Sequence, residues 1–239
     1  MPSHAAPGAG IRGVIFDKDG TLFDFNATWA VWLADLIEEL SEGDPARATA
    51  LAIELGFDLA GARFAATSPV IAGTSEVFDA AVLSVLPNID PTDLRRRVIA
   101  STIGIRQVEA TPLVPLLDRL RAAGLVLGLA TNDAEVPARA HLERAGIIGH
   151  FAFIAGYDSG HGAKPAPGML TAFSAATGIA PGACVMIGDS THDLDSGRAA
   201  GMRTVAVLTG IASRADLAPH ADVVLETIGE LPAWLGLPD

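Results

Sequence analysis

Residues 11–24 read Ile11-Arg-Gly-Val-Ile-Phe-Asp17-Lys-Asp19-Gly-Thr-Leu-Phe-Asp24. The short apolar run Val14-Ile15-Phe16 is continuous, not alternating, which predicts a strand buried on both faces of a parallel sheet. It breaks abruptly into Asp17 and Asp19, two carboxylates placed where the strand ends. In an open parallel sheet the carboxyl edge is where ligands bind. Like charges held this close imply a cation or a proton transfer nearby. Alone, the pattern would read as a solvated turn with two incidental acids. The residues that follow the later strands decide between the two.

Composition narrows the class. Hydrophobic residues make up 50% of the 239-residue chain, which makes it globular and long enough for one or two domains. Acidic residues outnumber basic ones by 28 to 16, for a net charge of -12. That balance excludes the basic face that nucleic acid requires. An anionic small molecule stays compatible, because a metal and one local lysine can reverse the field inside a cleft. The single cysteine, Cys184, lies in an apolar run and is expected in the core. Met1–Gly10 lacks the charged start and apolar centre of a secretory signal and is expected to fray. No apolar run is long enough to span a bilayer, so a cytoplasmic location without membrane partners is expected.

Beyond Asp24 the periodicity is helical for about eighty residues. Trp29, Trp32, Leu33, Leu36, Ile37 and Leu40 share one helical face. Asp44-Pro45 and Asp90-Pro91 each supply a cap followed by an N1 proline, and a further helix is expected from about Ser75 to Leu86. No strand pattern is seen in this block. From Thr111, expected to cap a helix over 113–123, strands and helices alternate. Apolar strands are expected at 125–130, 151–155, 183–187, 204–208 and 222–225, with helices between them. The expected fold is therefore α/β, a doubly wound parallel Rossmann-like sheet formed by residues 1–24 and 108–239. An all-helical cap domain, residues 25–107, is inserted after the first strand.

The polar residues then share one location. Asp17 and Asp19 follow the first strand, Thr131 and Asn132 the second, and Asp189 and Asp193 the one ending at Ile187, while Lys164 lies in the loop after the Phe151 strand. Parallel strands put all these ends on one edge. Asp17, Asp19 and Asp189 form a hard oxygen donor set suited to Mg²⁺, and no Cys/His cluster favours zinc. Thr131 and Asn132 precede a helix, whose first N–H groups and whose side chains can hold phosphate oxygens. Lys164 can screen a carboxylate nucleophile from the phosphate it attacks. Phosphoryl transfer from a small phosphate ester is the chemistry implied.

These residues resemble the four motifs of the haloacid dehalogenase superfamily, in its phosphoglycolate-phosphatase-like branch. FDKDGTLFD, ATND, AKPAPGM and IGDSTHDLDSGRAAGM occur in that order and span the chain. The resemblance implies a Rossmann-like core with a helical cap. It also implies that Asp17 is the nucleophile and a metal ligand, and that Asp19 is the general acid and then the base. The Asp19 backbone carbonyl would reach Mg²⁺, Thr131 and Lys164 would hold phosphate, and Asp189 would ligate the metal. Asp193 is left with two roles, touching the metal through water or orienting Lys164.

Within this resemblance Asp19 argues against a dehalogenase, and the absence of lysine from residues 25–107 argues against a phosphonatase. A phosphomutase of the β-phosphoglucomutase type and a non-catalytic binder of phosphate metabolites stay as alternatives. Arg63, Arg106 and the turn Gly73-Thr74-Ser75 are cap candidates for contact with the leaving group. His161 and His192 read as ordinary solvated or backbone-bonded histidines, and Arg95-Arg96-Arg97 as one solvated helix face.

Overall fold

The computed structural model describes residues 8–65, 68–72 and 75–238. Residues 1–7 of the stretch expected to fray, and Gly73 and Thr74 of the cap turn, lie outside the described residues. The chain divides into two compact units, one of residues 1–24 with 107–239 and one of residues 25–106.

In chain order, β1 (Gly13–Phe16) precedes the inserted unit, which holds α1 (Phe25–Ser41), α2 (Pro45–Glu54), β2 (Phe57–Asp58), β3 (Arg63–Phe64), α3 (Pro69–Ala72), α4 (Ser75–Val85) and α5 (Pro91–Ile103). The chain continues through α6 (Leu113–Ala122), β4 (Val126–Ala130), α7 (Glu135–Arg144), β5 (Phe151–Ala155) and α8 (Gly168–Thr177). It ends with β6 (Cys184–Gly188), α9 (Thr191–Ala199), β7 (Arg203–Val207), α10 (Arg214–Leu217), β8 (Val223–Leu225) and α11 (Leu231–Leu235).

The larger unit is built on a six-stranded parallel sheet in the order β5-β4-β1-β6-β7-β8. The chain runs outward from β1 through β4 to β5, then returns to the other side of β1 for β6. That reversal makes the carboxyl ends of β1, β4 and β6 a topological switch point. Alternation assigns the faces. Val14, Phe16, Leu127, Leu129, Val185 and Ile187 pack with Leu113, Leu117 and Leu120 of α6 and Leu142 of α7. Ile15, Cys184 and Met186 face the other way, against Met169, Leu170 and Phe173 of α8. Cys184 is buried among them.

Two glycines make this second face possible. A Cβ on Gly13 or Gly128 would lie 2.8 or 2.6 Å from the Phe173 ring, so both strands are bare where the ring docks.

Among its described residues the smaller unit is helical except for one strand pair. β2 and β3 pair antiparallel, Phe57 with Phe64 and Asp58 with Arg63, which corrects the all-helical expectation. The pairing carries an aromatic cluster: Phe64 lies 5.0 Å from Phe57 and 5.2 Å from Phe25, which continues through Trp29 to Trp32 and Phe78. Asp44 and Asp90 cap α2 and α5 as expected, each accepting from two backbone N–H groups.

The arginine triplet is not one solvated face. Arg95 pairs with Asp79 of α4 at 2.5 Å, Arg97 with Glu39 of α1, and Arg96 with Asp93 of its own helix. Thr111 is not a cap either: Pro112 occupies the N-cap position of α6, and the Glu109 carboxylate accepts from Leu113 N–H at 3.0 Å.

Phe173 has no exposed surface and joins α8 to both β1 and β4. Phe173→Ala is expected to cost about 3–5 kcal/mol in stability, read as a fall in the midpoint of urea denaturation. A loss below about 1 kcal/mol would contradict this docking.

Candidate active site

Asp17 is the first residue beyond β1, and its backbone N–H donates to Ile187 O at 2.9 Å, so it stands at the shared strand edge. Its side chain leaves on the α8 side, opposite Phe16. Lys164 crosses to it from the loop after β5. The Lys164 Nζ donates to Asp17 Oδ1 at 2.6 Å, to Asp193 Oδ1 at 2.6 Å and to Ala130 O at 2.8 Å. One ammonium thus joins the ends of β1 and β4 to the start of α9. Lys164, Asp17, Asp189 and Asp193 are all buried.

Asp193 is held from both sides. Its Oδ1 accepts from Lys164, while its Oδ2 accepts from Ser190 N–H at 3.1 Å and from Ser190 Oγ at 2.7 Å. Ser190 and Asp193 form a reciprocal capping box, so α9 begins at Thr191. Of the two roles left open for Asp193, the contacts favour orienting Lys164. A glycine is needed here too, since a Cβ on Gly188 would come within 2.2 Å of Asp193.

Asn132 does something the sequence did not suggest. Its Oδ1 accepts from Lys164 N–H at 2.9 Å and its Nδ2 donates to Lys164 O at 3.0 Å. Expected to hold phosphate, the side chain instead clamps the Lys164 backbone. Thr131 is buried at the end of β4; its N–H donates to Ala155 O at 3.0 Å and its Oγ1 accepts from Asp133 N–H at 3.1 Å. Asp19 pairs at 2.5 Å with Lys18, a buried lysine not singled out in the sequence. Among the other candidates, His192 is half-buried in α9 and His161 is exposed beside Phe153. Arg63 and Arg106 are exposed.

Asp17, Asp189 and Asp193 each bring a carboxylate oxygen within 4.8 Å of the others. Burial raises the Asp17 pKa to about 7; Asp193 and Asp19 add to the shift, and the Lys164 ammonium opposes it. Asp189 is raised well above the usual carboxylate range by burial first, then by repulsion from Asp193 and Asp17. Burial alone would lower the pKa of Lys164, but Asp17 and Asp193 outweigh it and the pKa is raised. Three buried carboxylates face one ammonium, and the donors are all hard oxygens. This fits a divalent cation, whose charge would relieve the repulsion that pushes Asp17 and Asp189 up. Since Asp193 spends both oxygens on Lys164 and Ser190, Asp17 and Asp189 have the oxygens best placed to hold such an ion. Gly20 is bare beside them: its φ is +80°, and a Cβ there would lie 2.3 Å from Asp189 Oδ2.

The chain is similar to known proteins along most of its length. The haloacid dehalogenase-like hydrolase family matches residues 11–201. Phosphoglycolate phosphatases of Escherichia coli K12 and Xylella fastidiosa are each 31% identical over 95% of this chain, covering 94% and 93% of their own lengths. Among solved structures, a HAD family hydrolase of Deinococcus radiodurans with bound phosphate and sodium superposes with a TM-score of 0.69 at 24% identity, covering 95% of this chain and 96% of its own. A HAD phosphatase of Thermococcus onnurineus superposes with a TM-score of 0.65 at 25% identity, covering 95% and 98%. The chain belongs to the haloacid dehalogenase-like hydrolases, on their phosphatase side.

The raised pKa of Asp189 sets the sign of a pH effect. A carboxyl group whose folded pKa lies above its unfolded value contributes stability at low pH, and that contribution is lost as pH rises through the folded value. With divalent ions chelated, Asp189→Asn is therefore expected to raise the urea midpoint at pH 8 and to leave it nearly unchanged at pH 4. An equal change at both pH values, or a lower midpoint at pH 8, would refute this origin of the shift.

Proposed function

We propose that the chain is a Mg²⁺-dependent phosphatase that hydrolyses a small phosphomonoester, phosphoglycolate or a sugar phosphate, through a phosphoaspartyl intermediate on Asp17. The observation that carries this reading is the Lys164 ammonium bonded at once to Asp17 and Asp193 on the strand edge. The curated relatives, named phosphoglycolate phosphatases and matched along nearly their whole length, support the substrate class.

In the first step an Asp17 carboxylate oxygen attacks phosphorus. The P–O bond to the leaving group breaks, and Asp19 gives its proton to the departing oxygen. In the second step Asp19, now ionised, takes a proton from water as that water attacks phosphorus. The bond to Asp17 breaks and inorganic phosphate is released. Lys164 fixes the rotamer of Asp17 through Oδ1 and offsets the repulsion between two anions. Thr131 and the N–H groups that precede α7 receive phosphate oxygens. Asn132 acts one step back, by fixing the Lys164 backbone. Asp17 and Asp189, with the Asp19 backbone carbonyl, would hold Mg²⁺, which when bound would supply charge stabilising the transferring phosphoryl group. Residues 25–107 serve as the cap that selects the leaving group.

Phosphate release from a panel of phosphate esters with Mg²⁺ tests the reading. Wild type is expected to hydrolyse at least one small phosphomonoester, and EDTA to abolish release. Asp17→Asn is expected to lower turnover by roughly 10⁴-fold or more, and Asp19→Asn by about 10²- to 10⁴-fold. Retained turnover in Asp17→Asn would end the covalent mechanism. An isomerised sugar phosphate with little free phosphate would select a phosphomutase instead.

A further inference from the structure

Lys18 takes a positive charge into the core. It has no exposed surface, although lysine is almost never fully buried unless paired. Strand alternation sends Asp17 toward α8 and Lys18 the other way, onto the face covered by α7. There the Lys18 Nζ lies 2.5 Å from Asp19 Oδ2, 3.4 Å from Asp133 Oδ2 and 3.2 Å from Nδ1 of His141. His141 is a residue of α7 and also has no exposed surface. A second donor, Gln107 Nε2, stands 3.2 Å from the same Nδ1.

An ammonium can only donate, so Nδ1 of His141 accepts. The ring is therefore neutral and carries its proton on Nε2, a tautomer assigned from these partners. Two carboxylates, Asp19 and Asp133, stand against the ammonium as counter-ions. Asp133 is fixed in turn: its Oδ1 accepts from Ala134 N–H at 2.8 Å. The ammonium is thus held between α7, the end of β4 and the chain returning at Gln107.

Nothing in the proposed phosphoryl transfer uses Lys18. Burying a charge costs several kcal/mol unless good partners compensate, and an apolar side chain of similar volume would fill the space without that cost. We infer that Lys18 is a positioning residue for Asp19. Its ammonium, held against His141 and Asp133, anchors Asp19 Oδ2 and so fixes the direction in which that carboxyl group offers its transferable proton. A carboxyl group free to turn would deliver that proton poorly, because proton transfer depends on orientation as well as acidity. This rests on Asp19 being the general acid of the proposed phosphatase.

Leaving-group dependence separates positioning from general damage. An alkyl phosphate needs a proton on its departing oxygen, whereas p-nitrophenyl phosphate expels a stabilised phenolate without one. The value of kcat/KM reports the first phosphoryl transfer for both esters. Lys18→Met is expected to lower kcat/KM by about 10²-fold or more for the alkyl phosphate that wild type hydrolyses best, approaching the loss in Asp19→Asn. For p-nitrophenyl phosphate the loss should stay within about 3-fold. Equal losses on the two esters, or no loss on either, would overturn the inference.

Should Lys18→Met fail to fold, His141 gives the second arm. His141→Phe removes the acceptor and should give a smaller loss selective for the alkyl ester, and His141→Asn should relieve it by restoring an acceptor. An unselective loss in His141→Phe, or one that Asn does not relieve, would equally overturn it. Wild type that hydrolyses neither ester would instead remove the phosphatase reading, and this inference with it.

Discussion

Three carboxylates packed out of water against a single ammonium dictate the rest of the site. Desolvation disfavours each negative charge, and mutual repulsion adds to it, which is why Asp17 and Asp189 are both pushed toward their protonated forms. Lys164 answers part of this by bonding two of the carboxylates at once. Its own backbone is pinned by Asn132 and its third bond goes to Ala130 O, so the ammonium has little freedom to move away. What one lysine cannot balance, a divalent cation can. The hard oxygen donors of Asp17, Asp189 and Asp193 lie close enough together to suit such an ion.

The sheet makes that density of charge possible. Because β1 lies between β4 and β6, three carboxyl ends meet where the order reverses, and loops from both directions reach them. Alternation then divides the polar residues between two faces. Asp17 goes to the side of α8 and α9, where Lys164 and Asp193 meet it. Lys18 goes to the side of α7, where His141 and Asp133 receive it. The two lysines contact carboxylates two residues apart in sequence, one from each side of the strand end. The chain also leaves the larger unit and returns to it at this edge: Asp24 N–H donates to Val108 O at 2.8 Å, and Ala110 N–H to Leu22 O at 3.0 Å.

Much of this was legible from the sequence, for a definite reason. Short apolar runs ending in Asp17, Thr131 and Asp189 read as buried strands, their alternation with helices makes the pairing parallel, and parallel strands share an edge. Asp44-Pro45 and Asp90-Pro91 marked two helix starts without ambiguity. The pairing of Phe57 with Phe64 escaped notice because strands of two residues show no period. Lys18 escaped because a lysine between two acids reads as solvated, and only the packing of α7 shows it has no route to water. His141 left a fainter trace, falling on the same helical face as Ala138 and Leu142, which are buried. Asn132 was legible in place but not in role, since its clamp needs the loop from β5 to fold back onto it. The capping box Ser213–Asp216 that starts α10 was readable but fell outside the strand-to-helix alternation.

Crystals grown with Mn²⁺ in place of Mg²⁺, and measured at the manganese absorption edge, would show whether the acid cluster holds a divalent ion. One strong anomalous peak shared by Asp17 and Asp189 is expected, with Lys164 Nζ still bonded to Asp17 and Asp193. A peak elsewhere, no peak at saturating Mn²⁺, or a Lys164 turned away from Asp17 would contradict it.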